Sequence, residues 1–487
     1  MSESLKTLCF AALAGGALAA AVLLNPSQGE TAAFSDLGQP FFAEFKDPTA
    51  ASSLEVVSFD EKSGQFKNFK VELKDGRWSL PSHYGYPADA KERLKTAASQ
   101  VVGLVKNEIR SDRPGDFAEL GVVDPADLNA KTISGRGIQF TLKDGRGATL
   151  ASYIFGKELE NRPGWRYVRV TGESKTYAVK TDAQVSTNFG DWVDTDLLKI
   201  GQGDLQAMEL RDYSIDSGAI KSKGGYRLEH QDQAWKFGAG VMAPEGMEID
   251  STAVDAVSQA LTQLRLVSVR PKPAKLAAIL KGEKGGLSQA EAGDLQSRGF
   301  FVTEQGLMSN EGEFTVATSK GVTYTLRFGA VFYGDPSDAG SGAALAKDSK
   351  ETKPQGSANR YLFVNCAFND SLFPAPAVPE EPKKLAEGAK PEEKTAYDAA
   401  FAAWETAKNT KLIWERDVKE AKEKADAQNR RFADWYYVIP GDSFDSVRPK
   451  LEKLCKAKAP VKVPGALNLP PAPGAPTPAP APAPAAP

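Results

Sequence analysis

The sequence predicts an α+β protein: a tandem duplication of a mainly antiparallel sheet packed with an amphipathic helix, one N-terminal membrane helix, and a long helical insertion in the second copy. Three observations carry this prediction. Short alternating apolar runs separated by turn residues recur along most of the chain, as in antiparallel hairpins. An ordered set of tryptophan, helix, hairpin and Arg-Tyr strand occurs twice. Residues 8–24 hold no charge at all. A chain of 487 residues also exceeds one ordinary core, by the prior of roughly 100–200 residues per domain.

At the amino end, the uncharged run spans about 26 Å at 1.5 Å per residue, a little short of a hydrocarbon core of roughly 30 Å. Both an anchor and a cleaved signal fit this length, and retention of residues 7–24 as an anchor is preferred because the run exceeds the usual signal core. Lys6 precedes it and the next cation is Lys46. The positive-inside bias therefore leaves residues 1–6 in the cytoplasm and places the bulk of the chain outside the inner membrane, in the periplasm. In an oxidising compartment Cys366 and Cys455 could form a disulfide. Two separate thiols are the preferred reading, since sequence does not fix their distance.

The first unit is expected over residues 34–200. Residues 54–59 and 69–73 read as strands, followed by an Asp75-Gly76 turn and Trp78. Leu94, Ala97, Val101 and Leu104 form a helical stripe. Residues 138–142 and 149–155 flank the Asp144-Gly145 turn, residues 167–170 and 177–179 make a third hairpin, and Phe189, Trp192, Val193 and Leu197 close the unit. The second unit, residues 201–458, returns to the same order. Trp235 stands 157 residues after Trp78; Val254, Val257, Leu261 and Leu264 repeat the stripe at an offset of 160; residues 360–364 answer 166–170.

The second unit carries two additions. Residues 333–358 are rich in Gly, Ser and Asp and read as a mobile loop. Residues 371–430 form a Pro-rich arm followed by an Ala/Glu/Lys helix from about 392 to 431, with Tyr397, Ala400, Trp404, Ala407, Lys411, Trp414, Val418, Ala421 and Ala425 in a narrow seam, as in a coiled coil. Trp404, Trp414 and Val418 are its candidate partner-docking residues, offered to a partner helix or to the arm itself. Residues 459–487 contain 11 prolines and read as a disordered, polyproline-like tail.

Several stretches are specific enough to carry a resemblance: Phe69-Lys70-Val71 through Trp78, Leu80-Pro81-Ser82-His83-Tyr84 before Tyr86-Pro87, Glu119-Leu120-Gly121-Val122, Asp191-Trp192-Val193 before Asp196-Leu197, Ser297-Arg298-Gly299-Phe300, and residues 324–329 and 431–439. Over about residues 40–450 the chain resembles the bacterial domain-of-unknown-function family 4340. The resemblance implies a membrane-tethered envelope protein, some relatives being associated with auxiliary ABC-transporter components of gliding-motility type. It supplies no catalytic residue.

A search for chemistry returns little. Sixty basic against 63 acidic residues give no field for nucleic acid. Gly156-Lys157 lacks the rest of a P-loop, and the Gly-x-Gly pairs lack the third glycine of a dinucleotide fingerprint. Two histidines and three cysteines are a poor stock for metal or nucleophile, so no catalytic residue, cofactor or metal is expected. His83, with Tyr84 and Tyr86, sits in a loop feeding a helix and is a candidate ligand or loop site; a hydrogen-bonded loop side chain is the preferred alternative. The expected function is that of a noncatalytic envelope component binding another protein of a membrane complex. An extracytoplasmic ligand-binding protein with a cleft between the units comes second, and a hydrolase without a recognisable motif third.

Overall fold

The computed structural model describes residues 36–458, except 62–63, 131, 184, 217–218, 334–357, 387 and 389. The expected membrane segment 7–24 and tail 459–487 lie outside the described residues, as does nearly all of the expected loop 333–358. Among the described residues no helix is long and apolar enough to cross a membrane.

The first half begins with a meander of β1 (Ser53–Asp60), β2 (Gln65–Lys74) and β3 (Arg77–Leu80), extended by the short β4 (Tyr86–Pro87). Helix α1 (Lys91–Ser99), edge strand β5 (Glu108–Ser111) and the single turn α2 (Phe117–Leu120) follow. Then come β6 (Ile138–Lys143), β7 (Thr149–Glu158), β8 (Trp165–Val170) and β9 (Thr176–Lys180). The nine strands form one sheet in the order β4-β3-β2-β1-β6-β7-β8-β9-β5.

The second half opens with β10 (Leu205–Asp216), β11 (Ala219–Gln231), β12 (Ala234–Phe237) and β13 (Met247–Ile249), then α3 (Ser251–Thr262) and β14 (Ser268–Pro271). Helices α4 (Ala274–Leu280) and α5 (Gln289–Ser297) and the hairpin β15 (Phe300–Thr303) and β16 (Gly306–Ser309) lead to β17 (Glu313–Thr318), β18 (Val322–Val331) and β19 (Arg360–Phe368). After α6 (Pro391–Ala433) come β20 (Trp435–Ile439), α7 (Gly441–Val447) and β21 (Cys455–Ala457), which pairs with β13. The main sheet runs β12-β11-β10-β17-β18-β19-β20-β14. The protein is thus mixed α and β with mainly antiparallel sheets, as expected.

Apart from β4, the strands of the two sheets follow the same order, and a buried row crosses each at like positions. Phe69, Val56, Phe140, Tyr153 and Val170 stand side by side across β2, β1, β6, β7 and β8. Tyr226, Leu210, Phe314, Leu326 and Val364 do the same across β11, β10, β17, β18 and β19. All ten are buried, which pins the register, because a one-residue slip would turn each row to the opposite face. The hairpin turns agree as well: Asp75-Gly76 and Asp232-Gln233 both have positive φ at both residues, the mirror-image turn that matches strand twist.

A second shared device lies on the outer face. The β7–β8 register shifts between Phe155 and Glu158, and the β18–β19 register between Phe328 and Val331. At each bulge the backbone of a preceding segment crosses the strand on a glycine. A Cβ on Gly156 would meet Leu120 O at 2.5 Å, and one on Gly329 would run into Arg298 O. The crossing segments themselves turn at Gly121 (φ 73°) and Gly299 (φ 83°), where only glycine adopts the left-handed conformation without strain.

Each helix lays its stripe on the core, with corrections to the expected extent. Leu94 and Ala97, and Val254, Val257 and Leu261, are buried within α1 and α3. The helices end at Ser99 and Thr262, so Val101, Leu104 and Leu264 belong to the chain beyond them; Leu264 is buried and Leu104 only partly so. Trp78 and Trp235 lie partly exposed against the core's rim, each opposite a residue of the preceding strand across its tight hairpin.

Helix α6 has 43 residues, about 65 Å at 1.5 Å per residue. Pro391 and two glutamates open its first turn and Arg430 and Arg431 close the last, in keeping with the helix dipole. Lys272 finishes the C-terminal end: its Nζ donates to Phe432 O and Trp435 O, each at 2.7 Å, and lies 4.1 Å from the Phe363 ring centroid. Burial pushes this amine down to about 7.

Gly329→Ala should destabilise the protein by about 1–3 kcal/mol, because the carbonyl it would strike belongs to backbone held by the α5 cap. Urea denaturation measures this; an unchanged midpoint would show that the crossing is loose.

Candidate functional site

The loop singled out by sequence, between β3 and α1, proves to be the joint between the two halves. Pro81–His83 form a short 3-10 turn, after which Tyr84 (φ 58°) and Gly85 (φ 75°) reverse the chain so that Tyr86 pairs back with Leu80. His83 and Tyr86 are buried, whereas Tyr84 is exposed. Edge strand β14 of the second half packs against this turn.

His83 is fixed in one tautomer by its neighbour. Ser82 Oγ accepts from Lys70 N at 3.0 Å and donates to Lys70 O at 3.2 Å. A hydroxyl has a single proton to give, so at the 3.0 Å contact with Ser82 Oγ it is His83 Nδ1 that donates. Nε2 is left as a buried acceptor without a partner. The ring packs on Phe189 at 5.0 Å and Phe69 at 6.2 Å. Burial first, and the positive charge of Arg270 second, lower its pKa from 6.5 to about 4.

Across the joint, Arg270 on β14 donates to Ser268 Oγ and Val269 O and places its guanidinium 5.5 Å from the Tyr84 ring and 4.7 Å from the Phe332 ring. Tyr86 meets Trp435, the first residue of β20, edge-on at 5.1 Å, and burial raises its pKa. Arg431 at the end of α6 donates to Leu197 O and Asp196 O of the first half. Sequence reasoning missed Arg270, Trp435 and Arg431 as partners of this loop. Arg431 and Trp435 fell within the stretch 431–439 that carries the family resemblance, which does not say what they face, and Arg270 had no signal in the sequence.

The other candidates lie elsewhere. Trp414 donates from Nε1 to Phe373 O at 3.1 Å and stacks on the Phe373 ring, so the arm takes it. Trp404 is half-buried beside Phe401 at 5.4 Å, with Lys408 Nζ 4.6 Å from its ring, and Val418 is half-buried where the helix joins the body. Ala400 and Lys411 are exposed, which corrects the expected continuous seam: an α-helix turns every 3.6 residues, so a strict heptad drifts off one face. Cys366 and Cys455 are both free, the first buried among sheet residues on β19 and the second on the small β21 ladder. Burial pushes the Cys366 thiol up to about 12, which makes it a poor nucleophile.

This joint is built for packing. Among the described residues no cluster of three metal-binding side chains exists. Hollows of about 360 Å³ beside β10 and β11, 750 Å³ between α3 and α7, and 250 Å³ beside α6 are each lined from the second half alone, and none includes His83, Tyr84 or Tyr86.

Residues 78–281 match the family model described as Domain of unknown function (DUF4340). The resemblance expected from sequence is therefore shown, over a shorter span than residues 40–450. The matched stretch starts at Trp78 on β3 and ends just past α4, so it contains both sides of the loop-to-β14 contact. The match carries no activity, ligand or partner. No curated protein and no solved structure matches the chain.

The His83 geometry gives a pH dependence with a definite sign. The unfolded chain takes up this proton first, so the contribution of neutral His83 is complete above about pH 6.5 and disappears as pH falls through about 4. Between those values wild type should lose up to about 3 kcal/mol more than His83→Phe. Denaturant titrations at pH 4–7 measure the difference; parallel curves would show that the imidazole is not held neutral.

Proposed function

We propose that this chain is a noncatalytic, membrane-tethered envelope protein, held by residues 7–24, whose periplasmic body is two copies of one unit and whose projecting helix binds a protein partner in a membrane complex. The family resemblance suggests an ABC transporter as the kind of complex.

Support for two copies comes from the matching strand order and from the two buried rows, which cross the sheets at like positions although the sequence offset changes from strand to strand. Hairpins alone recur by chance; eight strands in one order with one register and two equivalent bulges do not.

The observation that carries the partner role is where α6 stops touching the body. Its contacts are with β18, β19, β20 and α4, and its buried positions begin only at Ala421. Lys320 and Asp417, 3.8 Å apart, mark the last tie to the body apart from Trp414. The preceding residues, 391–413, extend about 35 Å farther. Because Phe373 sits at Trp414 and Pro391 opens the helix, the arm must return along this projection, and Pro376, Val378 and Pro382 are half-buried as it does so. Near the tip Tyr397 stacks on Phe401, and Phe401 meets Trp404 at a tilt. A projection that adds nothing to the core is accounted for by something it touches.

Replacing residues 374–413 with a Gly-Gly link in the full chain should leave the thermal midpoint within a few degrees of wild type and abolish recovery of the partner on affinity purification from native membranes. A large fall in midpoint with the partner retained would make the projection a strut. An experimental structure should also superpose the halves with Trp78 over Trp235 and Leu94 over Val254; halves that do not superpose would refute the two-copy reading.

A further inference from the structure

Packing at the joint uses up His83 and Tyr86 but leaves one charge without a counter-charge. Arg270 stands half-buried on the edge strand β14, two residues after the fully buried Ser268. A guanidinium carries five N–H donors in a planar fork. The two on Nη1 are spent, one on Ser268 Oγ at 2.8 Å and one on Val269 O at 2.7 Å. The side-on edge made by Nε and Nη2 donates to nothing, and among the described residues no carboxylate pairs with Arg270. That edge opens to solvent, unlike Nε of Arg298, which is buried without a partner.

The fork is also held in place. Nη1 is pinned from the strand beneath, while the guanidinium carbon lies 5.5 Å from the Tyr84 ring of the first half and 4.7 Å from the Phe332 ring of the second. Tyr84 presents that ring from a left-handed backbone (φ 58°) and is 43% exposed, so the contact serves the outer surface more than the core. Ordering of this kind removes part of the cost of binding before a ligand arrives. Other arginines of the second half are already answered: Arg211, Arg227, Arg327, Arg360 and Arg448 each pair with a carboxylate. Arg298 pairs with Asp294, whose other oxygen accepts from Tyr436 Oη at 2.8 Å. The charge of Arg270 acts on its neighbours instead. It adds to burial in lowering the pKa of His83, and with Arg298 it opposes the burial that raises the pKa of Tyr361.

We infer that Arg270 is the centre of a carboxylate-binding site at the outer mouth of the joint, its Nε–Nη2 edge taking both oxygens of one acidic group beside the rings of Tyr84 and Phe332. Two parallel N–H donors match the two oxygens of a carboxylate. One uncompensated positive charge balances one negative charge, whereas a phosphate dianion would bring a second that no unspent donor group answers. The acid is either a small free carboxylate or an acidic side chain of a protein, and the chemistry at Arg270 is the same for both. The site depends on neither the two-copy reading nor the membrane tether.

Saturation-transfer NMR on the full chain in nonionic detergent micelles tests this, with propionate, the glutamate side chain without its backbone, as the probe. Wild type should transfer saturation to propionate, and Arg270→Met should abolish the transfer. Arg270→Lys keeps the charge but not the fork, and should weaken binding roughly tenfold. Tyr84→Ala, at an exposed position, should weaken it less, and Arg110→Met, which removes an exposed arginine on β5, should leave it unchanged. Circular dichroism verifies the fold of each variant. A blocked tripeptide with a central glutamate that displaces propionate would identify a protein side chain as the source of the acid; one that fails to displace it would identify a free acid, and either result supports the site. Absence of transfer in wild type overturns the inference. So does transfer that survives Arg270→Met, binding by Arg270→Lys equal to wild type, or displacement of propionate by equal concentrations of chloride or phosphate.

Discussion

Each sheet has more apolar surface than its own helix can cover, and the architecture follows from that shortage. At about 4.8 Å between strands, the nine-stranded and eight-stranded sheets are roughly 40 Å wide. Helix α1, with 9 residues, and α3, with 12, are only about 14 and 18 Å long. Neither helix can dry the buried rows of its sheet alone. The deficit is made up by Phe41 and Phe42 packing on Tyr153, by Phe189 and Trp192 after β9, by Phe444 and Val447 on α7, and by the halves meeting at Tyr86 and Trp435. One continuous apolar cluster runs from Phe45 to Leu454. A separate, smaller cluster around Phe300, Phe363 and Tyr436 closes the outer face of the second sheet.

The same shortage explains why charge is handled differently on the two faces. The two five-residue buried rows themselves hold no carboxylate and no basic side chain. On the outer face of the second sheet, Glu313 is ion-paired with Arg211 and Arg327, whereas Arg448 pairs with Asp212 at the rim of the inner face. Arg448 and Arg360 also lie over the Phe444 ring, at 4.7 and 4.4 Å. Partly buried pairs of this kind add little net stability over an apolar contact, but losing one partner strands the other. They therefore fix which strands are neighbours more than how tightly they hold.

Much of this was legible in the residues. The hairpins about Asp75-Gly76 and 144–148 followed from local alternation and turn chemistry, and α6 from its composition. The ordered recurrence of Trp78, Leu94 and residues 166–170 anticipated two sheets of equal strand order. What escaped were long-range facts. Nothing near Gly156 or Gly329 in sequence names the segment that crosses them, because the crossing residues lie about 30 positions away. The ends of α1 and α3 were overrun because Val101, Leu104 and Leu264 keep helical spacing while serving as apolar chain after the helix. The candidate loop was found as a locality, with a hydrogen-bonded loop side chain as the preferred reading of His83, but its neighbours, Phe189, Arg270 and Trp435, are supplied by segments 100 to 350 residues away.

The projection from the second sheet has its own geometric rule. Its two limbs advance at different rates, about 1.5 Å per residue in the helix and about 3.1 Å in an extended proline-rich arm. A change of reach must therefore add roughly two helical residues for each arm residue, or the limbs fall out of step and Phe373 leaves Trp414. Each residue added to the helix also swings everything beyond it through about 100°. Tyr397, Phe401 and Trp404 keep their heading only for additions near whole numbers of turns, such as 7, 11 or 18 residues. A projection of this design can be long or short in evolution, but only in discrete lengths, like a ruler whose marks are set by the helical repeat.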